Sequence, residues 1–177
     1  MSHLVFLKQI MKNPRQVGAI SQSSPSLARR IAAGIGQCTR IIELGPGAGV
    51  VTREILKLLP PEGRLTSVEI NPHLCEYLRQ IEDDRFTVVQ GDAAHCEQHD
   101  PECDCVVSAL PLTLFEQEFV EQILDIGVRI QRFVQLQYMP LLTKQLKQRF
   151  HDVRIHFVPL NLPPACVYVC QDVKVRC

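Results

Sequence analysis

The segment from Glu43 to Gly49, which reads ELGPGAG, combines one acid with three glycines at alternate positions. Glycines with such spacing let the backbone turn tightly and approach a ligand closely at the end of a strand. The spacing differs from the dinucleotide pattern G-x-G-x-x-G, and the carboxylate of Glu43 would repel a pyrophosphate. A carboxylate suits a cationic ligand instead. We therefore predict S-adenosylmethionine as the cofactor, because it carries an ammonium and a sulfonium in place of phosphates.

Two further acids follow at the ends of later strand-like segments. Glu69 lies 20 residues after Gly49, where an acid in such folds accepts hydrogen bonds from ribose hydroxyls. Asp92 follows the next segment and is placed to meet the adenine edge. The predicted cofactor-binding residues are Glu43, Gly45, Pro46, Gly47, Gly49, Glu69, Ile70, Asp92, Ala93 and Ser108. The alternative is that Glu69 and Asp92 only cap the helices that follow them.

Strand-like and helix-like segments alternate from residue 40 onward, which predicts right-handed crossovers and a parallel sheet covered on both faces. The predicted strands are 40–44, 65–69, 86–90, 104–109 and 130–137, and the predicted helices between them are 50–58, 72–82 and 115–126. Residues 153–158 and 165–173 predict two more strands that form a C-terminal antiparallel hairpin. The fold class is therefore α/β, with a mostly parallel seven-stranded sheet.

The first 34 residues predict two helices. Residues 3–13 alternate apolar and basic positions as an amphipathic helix does, and Ser24 with Pro25 predicts the start of a second helix that ends at Gly34. An apolar face beside a basic edge is typical of a helix at a membrane interface, whereas packing on the sheet is the alternative. The predicted membrane-binding residues are Phe6, Leu7, Lys8, Ile10, Met11, Lys12 and Arg15.

The length and composition predict one domain over residues 1–177. The N-terminus has too short an apolar run for a signal peptide, so we expect a cytoplasmic protein whose eight cysteines are free thiols. No apolar run approaches the roughly 20 residues that a membrane-spanning helix needs.

The segment IIELGPGAGVVT resembles the first motif of class I S-adenosylmethionine-dependent methyltransferases. Four stretches more narrowly resemble the bacterial phospholipid N-methyltransferases, relatives of the rRNA adenine dimethyltransferases: FLKQIMKNPRQVGAISQSSPSLAR, SALPL, FVQLQYMP and NLPPACVYV. This resemblance covers nearly the whole chain. It implies a Rossmann-like fold and methylation of the amine of phosphatidylethanolamine, toward phosphatidylcholine.

The same resemblance implies a substrate pocket formed by the SALPL loop and the end of the VQxxY stretch, with Ser108, Leu110, Pro111 and Tyr138. The ring of Tyr138 would stabilise a substituted ammonium; the alternative is an aromatic residue at the edge of the core. Gln137 and Met139 depart from the threonine and glycine that are more usual there. The resemblance also implies that the N-terminal helix docks on an anionic membrane, at its inner face, and it implies no stable protein partner.

The SALPL loop distinguishes lipid methylation from the alternative, which is N-methylation of adenine in rRNA or another nucleic acid. Base-methylating relatives carry Asn-x-Pro-aromatic at this place, so that the amide orients an exocyclic amine and the ring stacks on the base. Ala109 and Leu112 occupy those positions here. Residues 1–42 contain six Lys or Arg and no acid, which favours a phosphate-rich partner, but the net charge is zero and aromatics are scarce. We therefore expect a lipid rather than a nucleic acid.

Potential metal ligands are concentrated between residues 95 and 105, namely His95, Cys96, His99, Cys103 and Cys105. Their spacing lacks the paired C-x2-C knuckles of zinc sites, and Cys105 falls in a predicted strand. We predict reduced cysteines and no metal.

The N-terminal hypothesis predicts that Lys8→Glu combined with Lys12→Glu weakens binding to anionic vesicles about tenfold or more, since each basic side chain near such a surface contributes about 1 kcal/mol. Vesicle pelleting measures the change, and circular dichroism confirms that the variant is folded. Unchanged binding would contradict a membrane role for this segment.

Overall fold

The computed structural model describes residues 23–161 and 163–174, and it contains one seven-stranded sheet. The strands are β1 (Arg40–Leu44), β2 (Arg64–Glu69), β3 (Phe86–Gln90), β4 (Cys105–Ser108), β5 (Arg132–Gln137), β6 (Phe150–Val158) and β7 (Ala165–Val173). Their order across the sheet is β3-β2-β1-β4-β5-β7-β6. The first five strands are parallel, and β7 pairs antiparallel with both β5 and β6. The predicted fold class and its C-terminal hairpin are confirmed.

Within the described residues, helix α1 (Pro25–Ala33) precedes β1, and the helices that connect strands are α2 (Val50–Leu58), α3 (Pro72–Leu78), α4 (Gln117–Arg129) and α5 (Thr143–Arg149). Three short 3-10 helices lie at Ala93–Gln98, Leu112–Leu114 and Pro140–Leu142. None of the helices in the described ranges is long and apolar enough to cross a membrane. The predicted helix at 3–13, with all its proposed membrane-binding residues, lies outside the described residues.

The buried core consists of two clusters, one on each face of the sheet, because alternate residues of a strand point to opposite faces. The first core cluster joins α1 and α2 to the sheet and includes Leu27, Ile55 and Val107. The second core cluster joins α4 and α5 to the other face and includes Ile123 and Leu146. The helices thus cover both faces, as a parallel sheet requires.

The start of α1 follows the predicted capping pattern. The hydroxyl oxygen of Ser24 accepts a hydrogen bond from the amide of Leu27 at 3.2 Å, and Pro25 occupies the first helical position. The amide of Ser24 donates to the side-chain oxygen of Asn161 at 3.0 Å, so the start of α1 is attached to the turn between β6 and β7.

Several element boundaries differ from the sequence prediction. Helix α3 ends at Leu78 rather than at residue 82, because Gln80 and Ile81 donate to carbonyls three residues back and so tighten the chain. Helix α4 begins at Gln117 rather than at 115, since a 3-10 turn and an extended Phe115 precede it.

Strand β5 begins two residues later than predicted, and β6 begins three residues earlier, at Phe150. Helix α5 was not predicted. It has only seven residues, of which Leu146 is the one apolar residue, so it has too little periodicity for recognition.

Helix α4 packs closely on β5 at Gly127. A β-carbon at this position would lie 2.9 to 3.2 Å from ring atoms of Phe133, which is itself fully buried. Gly127→Ala should therefore lower the free energy of unfolding by up to about 2 kcal/mol, because overpacking costs about 1 to 3 kcal/mol and the gain in helix propensity offsets at most about 1 kcal/mol of it. Urea denaturation measures the change. Gly91→Ala is the matched control, since its new β-carbon would meet no atom closer than 3.5 Å; equal losses in both variants would contradict the packing argument.

Candidate active site

The glycine loop connects β1 to α2 at the centre of the sheet, where the strand order reverses between β1 and β4. Gly45, Gly47 and Gly49 have φ angles of +68°, +57° and +72°. Residues other than glycine rarely adopt this left-handed region. Arg53 in the first turn of α2 donates to the carbonyls of Ala48 and Gly49 at 2.9 and 3.0 Å. The sequence of the loop therefore determines its left-handed path, at the place where open α/β sheets bind ligands.

The SALPL loop lies directly against the glycine loop. A β-carbon added to Gly45 would come within 2.6 Å of Cδ2 of Leu110. The amide of Ala109 also donates to the carbonyl of Leu44 at 3.0 Å. The fold thus brings together the two segments that the sequence analysis placed at the cofactor and at the substrate.

Glu43 is completely buried at the end of β1. Its Oε2 accepts hydrogen bonds from the hydroxyls of Thr52 and Ser67 at 2.7 and 2.6 Å. Its Oε1 has no hydrogen-bond partner among residues 23–161 and 163–174. Burial raises the pKa of Glu43 to about 7, and the two hydroxyl donors only partly oppose this effect. The protein therefore keeps a carboxyl group beneath the glycine loop with one oxygen available to a donor.

Glu69 connects the end of β2 to the glycine loop. Its Oε2 accepts from the amide of Gly47 at 3.2 Å, and its Oε1 accepts from the amide of Asn71 at 2.9 Å. Burial raises the pKa of Glu69, and these amide donors, together with that of Ile70, act in the opposite direction. Asn71, and not Glu69, caps α3, because the side-chain oxygen of Asn71 accepts from the amide of His73 at 3.0 Å. The carboxylate of Glu69 instead fixes the backbone of Asn71 and orients the glycine loop that faces it.

Asp92 caps the 3-10 helix that begins at Ala93. It follows β3, and its Oδ1 accepts a hydrogen bond from the amide of Ala94 at 3.0 Å. This contact is the one that the capping interpretation predicted. Because β3, β2 and β1 are adjacent and parallel, Asp92, Glu69 and Glu43 all lie at the same edge of the sheet.

The SALPL residues differ in their exposure. Ser108 is fully buried at the end of β4, and its hydroxyl has no hydrogen-bond partner within the described part of the chain. Leu110 and Pro111 are partly exposed. Leu112, which occupies the position of the stacking aromatic in base methylators, is fully buried in the second core cluster. Its backbone lies in a 3-10 turn that directs the side chain toward the core.

Two buried glutamines of β5 hold the SALPL loop, and the sequence analysis did not recognise their role. Nε2 of Gln135 donates to the carbonyl of Leu110 at 2.8 Å, and the side-chain oxygen of Gln137 accepts from the hydroxyl of Thr113 at 3.3 Å. Both glutamines are 0% exposed. Their i, i+2 spacing inside the apolar stretch FVQLQY was the available signal, because it places both amides on one face of a strand.

Tyr138 follows β5 and packs, partly buried, against the first core cluster. It therefore lies on the same face of the sheet as Val107 and Leu136. Burial raises the pKa of Tyr138, so the phenol stays neutral at physiological pH. The structure places this ring at the edge of the core and at the carboxyl end of its strand.

The comparisons with known proteins agree with this geometry. A family model described as a methyltransferase domain matches residues 41–132. An ornithine lipid N-methyltransferase from Singulisphaera acidiphila is 30% identical over 184 residues, covering 96% of each chain. The chain belongs to the class I S-adenosylmethionine-dependent methyltransferases. S-adenosylmethionine is its cofactor, as the glycine loop predicted.

Other members of this methyltransferase class resemble the chain in part or in fold. A ribosomal RNA small subunit methyltransferase A from Thermosynechococcus vestitus is 33% identical over 95 residues, which cover 52% of this chain and 35% of that protein. The crystal structure of an O-methyltransferase from Bacillus cereus in complex with SAH has a TM-score of 0.69 at 13% identity, covering 94% of this chain and 90% of that one. A likeness at this identity shows the methyltransferase fold alone.

The side chains beneath the glycine loop fit the cofactor of this methyltransferase. The Oε1 of Glu43 is a buried acceptor without a partner among the described residues, and an unpaired buried acceptor is costly unless a ligand satisfies it. The ammonium of S-adenosylmethionine has the charge and the donors for this task. A β-carbon at Gly45 would overlap Leu110, so a glycine is needed where the glycine loop meets the SALPL loop.

The His and Cys residues between positions 95 and 105 do not converge. Cys96 and Cys103 are buried in the second core cluster, and burial raises the pKa of each thiol to about 12. Cys105 belongs to the first core cluster on the opposite face of the sheet. Within residues 23–161 and 163–174, no group of three or more His, Cys, Asp or Glu side chains is arranged to hold a metal ion.

The buried carboxyl group of Glu43 predicts a specific pH dependence of stability. Its pKa is about 7 in the folded protein against 4.5 for an ordinary glutamate. Below about pH 4.5 both states are protonated, and as the pH rises toward 7 only the unfolded chain loses the proton, so the folded state loses stability. The unfolding free energy of Glu43→Gln relative to the wild type should thus rise by up to about 3 kcal/mol between pH 4.5 and pH 8.

Urea denaturation at a series of pH values measures this difference. Glu62→Gln is the control, because Glu62 is exposed and its substitution should leave the difference from the wild type nearly constant. A pH-independent difference for Glu43→Gln would show that the carboxyl group of Glu43 titrates normally.

Proposed function

We propose that this methyltransferase transfers a methyl group from S-adenosylmethionine to the amine of a membrane lipid head group. The observation that carries the proposal is the similarity to an ornithine lipid N-methyltransferase, which extends over 96% of both chains. Phosphatidylethanolamine is the acceptor that the sequence motifs favour. Ornithine lipid is the second candidate, because it is the substrate named for that relative.

Residues at the ends of three strands contact different parts of the cofactor. In this proposal, Glu43 accepts from the ammonium, Gly45 and Gly47 provide close backbone approach, Glu69 accepts from the ribose hydroxyls, and Asp92 faces the adenine. The remaining positions of this set are Pro46, Gly49, Ile70, Ala93 and Ser108. When bound, S-adenosylmethionine supplies a methyl group on a sulfonium, which an amine attacks in line.

The acceptor side of the site consists of Ser108, Leu110, Pro111 and Tyr138. Methyl transfer between a sulfonium and an amine passes positive charge on rather than creating it, so alignment and exclusion of water provide most of the catalysis. The buried amide of Gln135 fixes Leu110 by its carbonyl, which supports alignment. The neutral ring of Tyr138 suits a methylated ammonium, with which it would interact by about 0.5 to 2 kcal/mol.

The amine must be neutral to attack, and an ordinary primary ammonium has a pKa near 10. Desolvation at the partly buried SALPL loop lowers the pKa of a bound ammonium. An apolar loop therefore favours the neutral, reactive amine, and the proton that the ammonium loses passes to water before the methyl group is transferred.

Nucleic-acid methylation receives less support from the same residues. The similarity to the rRNA methyltransferase from Thermosynechococcus vestitus covers only 52% of this chain and 35% of that protein. Ala109 provides no amide to orient an exocyclic amine, and Leu112 is buried rather than available for stacking. The loop thus lacks both groups that hold a purine.

The direct test is transfer of a labelled methyl group from S-adenosylmethionine, with phosphatidylethanolamine vesicles, ornithine-lipid vesicles and rRNA offered in parallel. We expect label in a lipid amine and none in RNA. Glu69→Ala should abolish both the transfer and cofactor binding measured by calorimetry, whereas Glu62→Ala, at an exposed position, should retain both. Label in RNA alone would contradict the lipid proposal, and wild-type cofactor affinity in Glu69→Ala would contradict the proposed ribose contact.

A further inference from the structure

Five large apolar side chains are exposed at or just beyond the carboxyl ends of β4, β5 and β6, and we call them the apolar rim. They are Leu114, Met139, Leu141, Phe157 and Leu160, with exposed fractions of 45%, 57%, 65%, 64% and 83%. Exposed apolar residues that stand alone are ordinary, whereas a group of them on one surface indicates an interaction site.

The strand registers place the members of the apolar rim at one edge of the sheet. Gln137 of β5 pairs with Cys166 of β7, and Cys166 pairs with Phe157 of β6, so these residues form one row across three strands. Met139 and Leu141 follow directly after β5, and Leu160 follows directly after β6.

The same edge carries the SALPL loop. The hydroxyl of Thr113 donates to the side chain of Gln137, which brings the 3-10 turn at Leu112–Leu114, and with it Leu114, next to the end of β5. Leu110 of the same loop lies against the glycine loop. The apolar rim therefore adjoins the entrance of the proposed acceptor site.

Basic side chains accompany the apolar rim. Helix α5, TKQLKQR, contains no acid, and its Lys144 and Lys147 are exposed. Its first residue, Thr143, shares a hydrogen bond of 2.9 Å with the hydroxyl of Tyr168. Tyr168 pairs across the sheet with Ile155 of β6, which is itself 41% exposed. Lys144 follows Leu141 of the apolar rim by three residues, so its positive charge lies beside the rim. Lys147 lies nearer the far end of α5, where its carbonyl accepts from Nζ of Lys174.

From these observations we infer that the apolar rim is a docking surface for an anionic phospholipid bilayer. The apolar side chains enter the interfacial region while Lys144 contacts the head groups, which is the combination that interfacial binding requires. This inference rests on the proposed lipid substrate. It adds that the described fold itself carries a membrane-binding surface, which places the acceptor site at the depth of the lipid amine.

A set of serine substitutions tests the inference. Leu141→Ser, Phe157→Ser and Leu160→Ser are combined in one variant, and none of these residues belongs to the proposed cofactor or acceptor site. Leu58→Ser is the matched control, because Leu58 is 56% exposed at the end of α2 and lies outside the rim. Pelleting with vesicles of phosphatidylethanolamine and phosphatidylglycerol should show about tenfold or more weaker binding for the triple variant, and unchanged binding for the control.

Methyl transfer to a short-chain phosphatidylethanolamine or ornithine lipid, each offered as a dissolved monomer, separates docking from chemistry. The triple variant should keep wild-type activity on whichever monomer the wild type methylates and lose most of its activity on vesicles of that lipid. Wild-type vesicle binding by the triple variant would overturn the docking surface even if lipid methylation stands. Absence of methylation of every lipid form by the wild type would instead refute the proposed function, and pelleting would still decide whether the rim binds membranes.

The inference would also be overturned if another part of the protein, and not a membrane, covers the apolar rim. If the wild type is dimeric by light scattering and the triple variant monomeric, a second copy of the chain covers the rim. If the substitutions increase hydrogen exchange in residues 1–22 without vesicles, the chain's own N-terminal segment covers it.

Discussion

The site depends on one buried carboxyl group. Glu43 lies beneath the glycine loop with one oxygen bound to two hydroxyls and the other without a partner among the described residues. Burial of a charge is unfavourable unless a donor or a counter-charge compensates it, and the pKa of about 7 reflects that cost. Evolution can retain such a group where a cationic ligand supplies the missing partner. The same carboxyl group that weakens the empty protein therefore favours binding of its cofactor.

The proposed acceptor side has a complementary, uncharged arrangement. The SALPL loop contributes no charge, and neutral amides hold it from below: Gln135 through the carbonyl of Leu110, and Gln137 through Thr113. Ser108 pairs with Gln135, and Gln135 pairs with Tyr168, so polar side chains form a row across three strands under an apolar surface. A loop positioned in this way excludes water without adding charge. This arrangement suits a reaction that transfers a positive charge from one atom to another.

The sequence predicted most strands within two residues, because each strand has a distinct apolar run and the glycine loop marks the end of the first. It also predicted the cofactor, because an acid followed by alternating glycines lies within one short segment. That segment alone indicates a ligand-binding turn that favours a cation. The burial of Leu112 could not be predicted, because alignment by motif gives backbone position and not side-chain direction. The apolar rim was not predicted, since its members come from three separate loops that only the sheet topology brings together.

The central claim is that the glycine loop, Glu43 and the SALPL loop form one site at the carboxyl edge of β1 and β4. A crystal structure of the chain with bound S-adenosylhomocysteine tests it most directly. The account predicts the amino group of the ligand within hydrogen-bonding distance of Oε1 of Glu43, and the sulfur facing Leu110 and Pro111. A ligand bound elsewhere, or an Oε1 of Glu43 that remains without a donor in the complex, would contradict the account.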